Sequence, residues 1–164
     1  NEESCAKLVV QPQNNDPKKY VPFVIEPSAG VERAFLAILS EAYTKESLPD
    51  GKSRVVLKLK PHLAPIKVAV TPLAKNKPEL VALAKEVVQT LRQSVSGRVA
   101  LEAGGNIGKM YRKNDEIGTP VCVTIDFESI EGEQQTVTLR NRDTMEQTRV
   151  PVQDLADQIR TILS

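Results

Sequence analysis

One short turn holds three chemically useful side chains: Glu26, Ser28 and Arg33, in the run Glu26-Pro27-Ser28-Ala29-Gly30 and the helical pattern that follows it. Proline and glycine bend the chain there, between a strand and a helix. The carboxylate and the hydroxyl then project from the strand end, while Arg33 sits on the first turn of the helix. A guanidinium on the buried side of a helix takes an anion, and a nucleotide phosphate suits it through planar bidentate hydrogen bonds. The alternative is structural: Arg33 pairs with Glu26 or Glu32 and fixes the turn.

A second constellation spans residues 104–127. Gly104 and Gly105 break the preceding pattern, and Asn106 can cap a helix that carries Lys109, Arg112 and Lys113 on adjacent turns. The free N–H groups at that helix start can receive a phosphate. Gly118-Thr119-Pro120 stops the helix, after which Val121, Val123, Ile125 and Phe127 alternate as the inner face of a strand. Tyr111 is either a stacking platform or a core residue, and Phe127 reads as core. Downstream, Thr136, Thr138, Arg140 and Arg142 share one face of a strand, opposite Val137 and Leu139. A cationic helix beside such a stripe is suited to an anionic polymer; the plainer reading is a solvated basic face and a solvated sheet edge.

Those groups need a frame. Lys7–Val10 reads as a strand, Pro12 to Pro17 as a polar turn, and Tyr20–Ile25 as a buried strand. A helix over 31–44 is apolar nearly all round, which calls for burial in a larger body. Residues 45–52 read as a charged loop. Arg54–Lys60 alternates with Val55, Leu57 and Leu59 inward. Pro61 and Pro65 bracket a linker containing the single histidine, His62. Beyond it the pattern predicts a strand at 67–71, a helix at 78–95 with Leu80, Leu83, Ala84, Val87 and Leu91 inward, and a strand at 98–101. The basic helix at 106–117 comes next, then strands at 122–127, 136–141 and 147–150. A final helix at 152–163 buries Val152, Leu155, Ile159 and Ile162. This order implies an α/β fold with a mixed sheet and helices packed on it.

The net charge is only +1, so nucleic-acid binding must come from local patches and base contacts rather than a global field. No apolar run approaches the roughly 18 residues of a membrane span. Cys5 and Cys122 match no metal spacing, and two free thiols suit a cytoplasmic protein without a metal site.

The runs GNIGKMYRKNDEIGTPVCVTID and TVTLRNRDTMEQTRV resemble the carboxy-terminal anticodon-binding domain of class II aminoacyl-tRNA synthetases. YVPFVIEPSAGVERAFLAIL resembles the third signature motif in its glycyl-tRNA synthetase version, and together these segments cover most of residues 20–160. The resemblance implies two parts: residues 1–62, the tail of an antiparallel catalytic domain, and residues 63–164, the anticodon-binding domain. It places Arg33 on the phosphates of ATP and Glu26 and Ser28 in the glycine pocket, with Glu26 on the ammonium group. It implies ATP as a substrate, Mg2+ in the parent enzyme, tRNA(Gly) as partner, a homodimeric parent and no membrane. Anticodon contacts are expected among Asn106, Lys109, Arg112, Arg140 and Arg142. Glycine anticodons end in two cytosines, and a carboxylate suits their N4 amino donors; Asp115, Glu116, Asp143 and Glu146 are all available.

The first and second signature motifs are absent from these residues. The chain therefore reads as the carboxy-terminal piece of a longer ligase, inactive alone in glycine activation. A competing reading is a non-catalytic relative, such as the accessory subunit of mitochondrial DNA polymerase. The joint presence of Glu26, Ser28 and Arg33 favours the enzyme lineage. An unrelated nucleotide-binding enzyme is disfavoured because neither GxxxxGK nor GxGxxG occurs.

Overall fold

The computed structural model describes residues 23–49, 51–104, 106–132 and 134–164. Outside the described residues lie Cys5, the expected strand Lys7–Val10, the turn from Pro12 to Pro17, the start of the strand at Tyr20, and Gly105. The chain divides into two compact units, residues 1–34 and 35–164.

In the first unit, residues 23–30 are irregular, and Phe23, Val24 and Ile25 are exposed, so the strand expected over Tyr20–Ile25 is not formed at these three positions. Helix α1 (Val31–Ala42) ends two residues before the predicted boundary, where Tyr43 opens a strand. Ala42 is its only buried residue; Val31, Phe35, Leu36 and Ile38 stay exposed.

The second unit begins its sheet structure with a hairpin, β1 (Tyr43–Ser47) and β2 (Ser53–Leu57), paired from Tyr43↔Leu57 to Ser47↔Ser53. The segment expected to be a charged loop is thus partly strand. The inward face of β2 is also opposite to the one expected. Arg54 and Val56 are buried, while Val55 and Leu57 are half-buried. Hydrophobic alternation misassigned the face because Arg54 has an interior carboxylate to meet. A one-residue change of parity moves every side chain of a strand to its other face.

A 3-10 turn (Pro61–Leu63) leads into the main sheet: β3 (Val68–Pro72), β4 (Val99–Leu101), β5 (Val121–Ile125), β6 (Thr136–Asn141) and β7 (Gln147–Pro151). The spatial order is β4-β3-β5-β6-β7. The β3–β4 and β3–β5 pairs are parallel, and β5–β6 and β6–β7 are antiparallel. Helix α2 (Pro78–Ser94) connects β3 to β4, and α3 (Ile107–Ile117) connects β4 to β5. These are the crossovers that parallel strands require. The Lys67 ammonium fixes the entry turn by donating to the carbonyls of Pro61, His62 and Ala64.

Side-chain alternation divides the sheet into two different faces. On one, Val68, Val70, Val99, Val121, Val123, Ile125, Val137, Leu139 and Val150 join Leu80, Leu83, Ala84, Val87 and Leu91 of α2 in a continuous apolar core. Leu155 and Ile159 of the last helix, α5 (Leu155–Leu163), complete it, with Val152 and Ile162 packed at its margin. All five predicted inward residues of α2 are buried there. On the other face the sheet carries Cys122, Thr124, Thr138 and Arg140. Cys122 is buried, and desolvation pushes its thiol pKa up to about 12.

Two further expectations change at the end of β5. The strand stops at Ile125, and Phe127 precedes a single-turn helix, α4 (Glu128–Glu131), with 42% of its surface exposed rather than in the core. Strand β6 is interior to the sheet, between β5 and β7, so its polar stripe is not a sheet edge.

Candidate nucleic-acid interface

Asn106 starts α3 as a side-chain cap, its Oδ1 accepting from the Gly108 amide at 2.8 Å. Gly118 ends the helix at φ 80, a left-handed conformation that glycine adopts without a Cβ penalty. A Cβ there would stand 2.9 Å from the Leu57 carbonyl oxygen, so the helix end also sits tightly on β2.

Between those termini, α3 turns Asp115 into the protein, where it is 3% exposed. Arg140 binds it in a bidentate manner, Nη1 to Oδ1 at 2.8 Å and Nη2 to Oδ2 at 3.0 Å. Arg54 Nη1 donates to the same Oδ2 at 3.1 Å, while its Nε donates to Glu46 at 2.7 Å. Arg142 donates to the carbonyls of Leu57, Gly118 and Leu59 and pairs with Asp143. Three arginines and two strands of the hairpin are thereby tied to the end of α3. A buried cluster of this kind holds only while each charge is matched and hydrogen-bonded. Burial opposes the charged form of Arg140, but the hydrogen bond and charge of Asp115 more than offset it and raise its pKa. Hydrogen bonding from Lys58, with Arg54, lowers the pKa of Glu46.

Tyr111 of α3 links this cluster to an adjoining polar row. The Arg140 guanidinium lies 4.6 Å from the centre of its ring, and its hydroxyl shares a 2.7 Å hydrogen bond with Thr124. The strand registers Thr71↔Thr124, Thr124↔Thr138 and Thr138↔Arg149 place four polar residues in line across β3, β5, β6 and β7. Thr71 and Thr124 are buried, Thr138 is half-buried, and the Arg149 side chain is 29% exposed. Asp126 anchors the open end of the row. Its Oδ2 accepts from Arg149 Nη1 and Thr138, and its Oδ1 accepts from the Ser129 amide and hydroxyl. Burial pushes the Asp126 carboxyl pKa up, but hydrogen bonds from Arg149 and Ser129 more than offset it and hold it below the usual value.

The predicted contact residues are distributed unevenly over this surface. Lys109 and Arg112 are exposed and unpaired among the described residues, whereas Lys113 pairs with Glu102 at 2.8 Å. Arg140 and Arg142 are 5% and 3% exposed and spend their donors inside the fold. Of the four candidate carboxylates, Asp115 is buried between arginines, Asp143 pairs with Arg142, and Glu116 and Glu146 are exposed. In the first unit, Glu26, Ser28 and Arg33 are all exposed, and no ion pair joins Arg33 to Glu26 or Glu32 among the described residues.

Asp126 and Arg149 were absent from the sequence-based candidates. Their signal was the hairpin turn near residue 143, which sets Thr138 opposite Arg149 once β6 and β7 are in register.

The five-stranded mixed sheet, its two crossover helices and its polar face define a known class. The chain belongs to the anticodon binding domain family, whose pattern matches residues 67–162. It is 54% identical to the glycine–tRNA ligase of Deinococcus radiodurans over 171 aligned residues, covering 99% of this chain and 33% of that protein. The glycine–tRNA ligase of Thermus thermophilus is 51% identical over 162 residues, covering 94% and 32% respectively. The chain thus spans about a third of the length of these relatives. A crystal structure of prolyl-tRNA synthetase from Cryptosporidium parvum, complexed with L-proline and AMP, superposes with a TM-score of 0.59 at 25% identity. That superposition covers 65% of this chain and 22% of the other. The glycyl-tRNA synthetase resemblance therefore holds over nearly the whole chain, with the fold of a class II anticodon-binding region.

Proposed function

We propose that this chain is the tRNA-recognising part of a glycine–tRNA ligase, with residues 63–164 as the anticodon-binding domain and residues 1–62 as the tail of the catalytic domain. The observation that carries this reading is 54% identity to such a ligase over 99% of the chain, a span that takes in both the Glu26–Arg33 turn and the anticodon segment.

In the parent reaction a glycine carboxylate oxygen attacks the α-phosphorus of ATP. A carboxyl–phosphate bond forms, the bond to the β-phosphate oxygen breaks, and pyrophosphate leaves. A terminal ribose hydroxyl of tRNA(Gly) then attacks the activated carbonyl and releases AMP. Glu26 holds the glycine ammonium, Ser28 lines the same pocket, and Arg33 neutralises phosphate charge. Such catalysis works by positioning and electrostatics rather than by a proton-shuttling side chain. All three are exposed, and no ion pair links them among the described residues. Mg2+ bound with ATP would add further charge neutralisation. Among the described residues no three His, Cys, Asp or Glu side chains group to hold a metal, so no step is assigned to one on this chain.

The parent enzyme is a cytoplasmic homodimer on this reading. Among the described residues no helix is long and apolar enough to cross a membrane. Lys109, Arg112 and the α3 N-terminus at Asn106 supply phosphate contacts, while the row ending at Arg149 lies on the same side of the sheet. Fluorescence anisotropy with labelled tRNA(Gly), and with the same tRNA carrying both anticodon cytosines changed to adenine, tests the reading. Preference for the unchanged tRNA is expected; equal affinity for the two would refute it. The 164-residue chain alone is expected to give no ATP–pyrophosphate exchange, and measurable exchange would overturn the division of labour proposed here.

A further inference from the structure

We infer that Arg149 is the residue that distinguishes an anticodon cytosine from uracil, and that Asp126 is the positioning residue that holds it; the inference rests on the anticodon-binding reading above.

The argument starts from donor bookkeeping at the end of the polar row. Arg149 Nε donates to Thr136 at 2.8 Å, and Nη1 donates to both Asp126 and Thr138 and ion-pairs with Glu128 at 3.7 Å. Nη2 has no hydrogen-bond partner among the described residues. The guanidinium is therefore fixed on two of its nitrogens and open on the third, at an edge strand whose neighbours Gln147 and Thr148 are exposed. A side chain held this way keeps its direction before a ligand arrives, so little rotamer freedom is lost on binding.

The Asp126 carboxylate is not free to act as the reader. A carboxylate offers about four acceptor sites. Here they are taken by Arg149, Thr138, and the amide and hydroxyl of Ser129. Recognition of a cytosine N4 amino group by a carboxylate, the natural expectation from base chemistry, is therefore not available from Asp126; the exposed Glu128 carboxylate, 3.7 Å from Arg149 Nη1, is the acid left open beside it. The open donor there is Arg149 Nη2, and it can read the ring acceptors of a base. Cytosine presents two adjacent acceptors, N3 and O2, along its pairing edge. Uracil keeps O2 but carries an N–H at position 3. An oriented cationic donor accepts the first pattern and is opposed by the second. Tyr111, half-buried with Arg140 over its ring, bonds Thr124 two strands in from β7 on the same cross-strand row. Single-stranded bases are read in part by edge hydrogen bonds of this kind.

The test uses the 164-residue chain and tRNA(Gly) transcripts carrying cytosine or uracil at each of the last two anticodon positions. The wild-type chain is expected to prefer cytosine at one of them by about tenfold, the scale of one well-made base contact. Arg149→Lys, which keeps the charge but loses the planar fork, should bind both transcripts with the preference largely abolished. Asp126→Asn should reduce the preference in the same direction. Because Asp126 also orders the turn at Ser129, Arg149→Gln, which leaves that turn intact, is the control for misfolding. Three results overturn the assignment. One is an unchanged cytosine preference in both Arg149 variants. Another is a wild-type chain that binds tRNA(Gly) without any preference. The third is an equal loss of affinity for both transcripts in Arg149→Gln with a salt slope lower by about one, which would make Arg149 a phosphate contact. The anticodon-binding reading survives the first and third of these. Failure of the wild-type chain to bind tRNA(Gly) at all would remove both.

Discussion

Replacing Asp115 with alanine removes the carboxylate shared by the buried guanidinium groups of Arg54 and Arg140. Three charge-assisted hydrogen bonds disappear. At about 1.5–3 kcal/mol each, an upper sum is roughly 4.5–9 kcal/mol. The real loss is smaller, since Arg54 keeps Glu46 and the carbonyl of Arg142, and Arg140 keeps the ring of Tyr111. What dominates is the stranded Arg140 charge, and breaking a buried pair in this way costs about 3–5 kcal/mol. A domain of this size has about 5–15 kcal/mol in total, so the variant loses a large part of its stability. Urea unfolding followed by circular dichroism measures it: with a slope of roughly 2 kcal/mol per molar, the midpoint should fall by about 2 M. The double variant Asp115→Ala/Arg140→Met removes the stranded charge and should recover part of the loss, with a coupling of about 1–3 kcal/mol. A loss below about 1 kcal/mol in Asp115→Ala, or strict additivity of the two changes, would refute the claim that this carboxylate holds the cluster together.

Other outcomes follow from the same geometry. Gly118→Ala forces a Cβ into a left-handed position against the Leu57 carbonyl and should cost at least about 1–2 kcal/mol in the same unfolding assay. Asn106→Ala removes the α3 cap and should cost about 0.5–2 kcal/mol, with affinity for tRNA changed less than by loss of Lys109 and Arg112 together. The lowered Asp126 pKa contributes stability that is present above its unfolded value of roughly 4 and is lost as pH falls through the folded pKa. Thermal melts of Asp126→Asn should therefore show a shallower decline than wild type as pH falls below about 4. Cys122, buried and with a thiol pKa near 12, should react with a disulfide reagent only after denaturation; rapid native labelling would contradict its burial.

The helices were legible because their signals are local. The inward residues of α2 follow a 3.6-residue period, and α3 is bounded by Asn106 and Gly118, residues whose own backbone preferences end a helix. The antiparallel pairing of β6 and β7 across the turn near residue 143 was legible for the same reason. The hairpin face was not. Val55 and Leu57 look like an inward pair, yet Arg54 and Val56 are buried, because the carboxylate that draws Arg54 inward lies 61 residues away in Asp115. Arg140 and Arg142 misled in the converse sense. Cations on a polar stripe suggest a ligand surface, but their partners are Asp115 and the backbone carbonyls of Leu57, Leu59 and Gly118.

The sequence by itself determined the family resemblance, the α/β class, the order of the strands and longer helices beyond residue 66, and most residues of the apolar core. The class, order and core follow from spacing along the chain; the resemblance rests on whole runs of residues. Only the tertiary structure decided which charges are free. Whether a guanidinium faces a ligand or an interior carboxylate depends on distances between strands and helices far apart in sequence. That is why Arg140 belongs to the interior and Arg149 to the surface, although both are polar residues on the same face of one sheet.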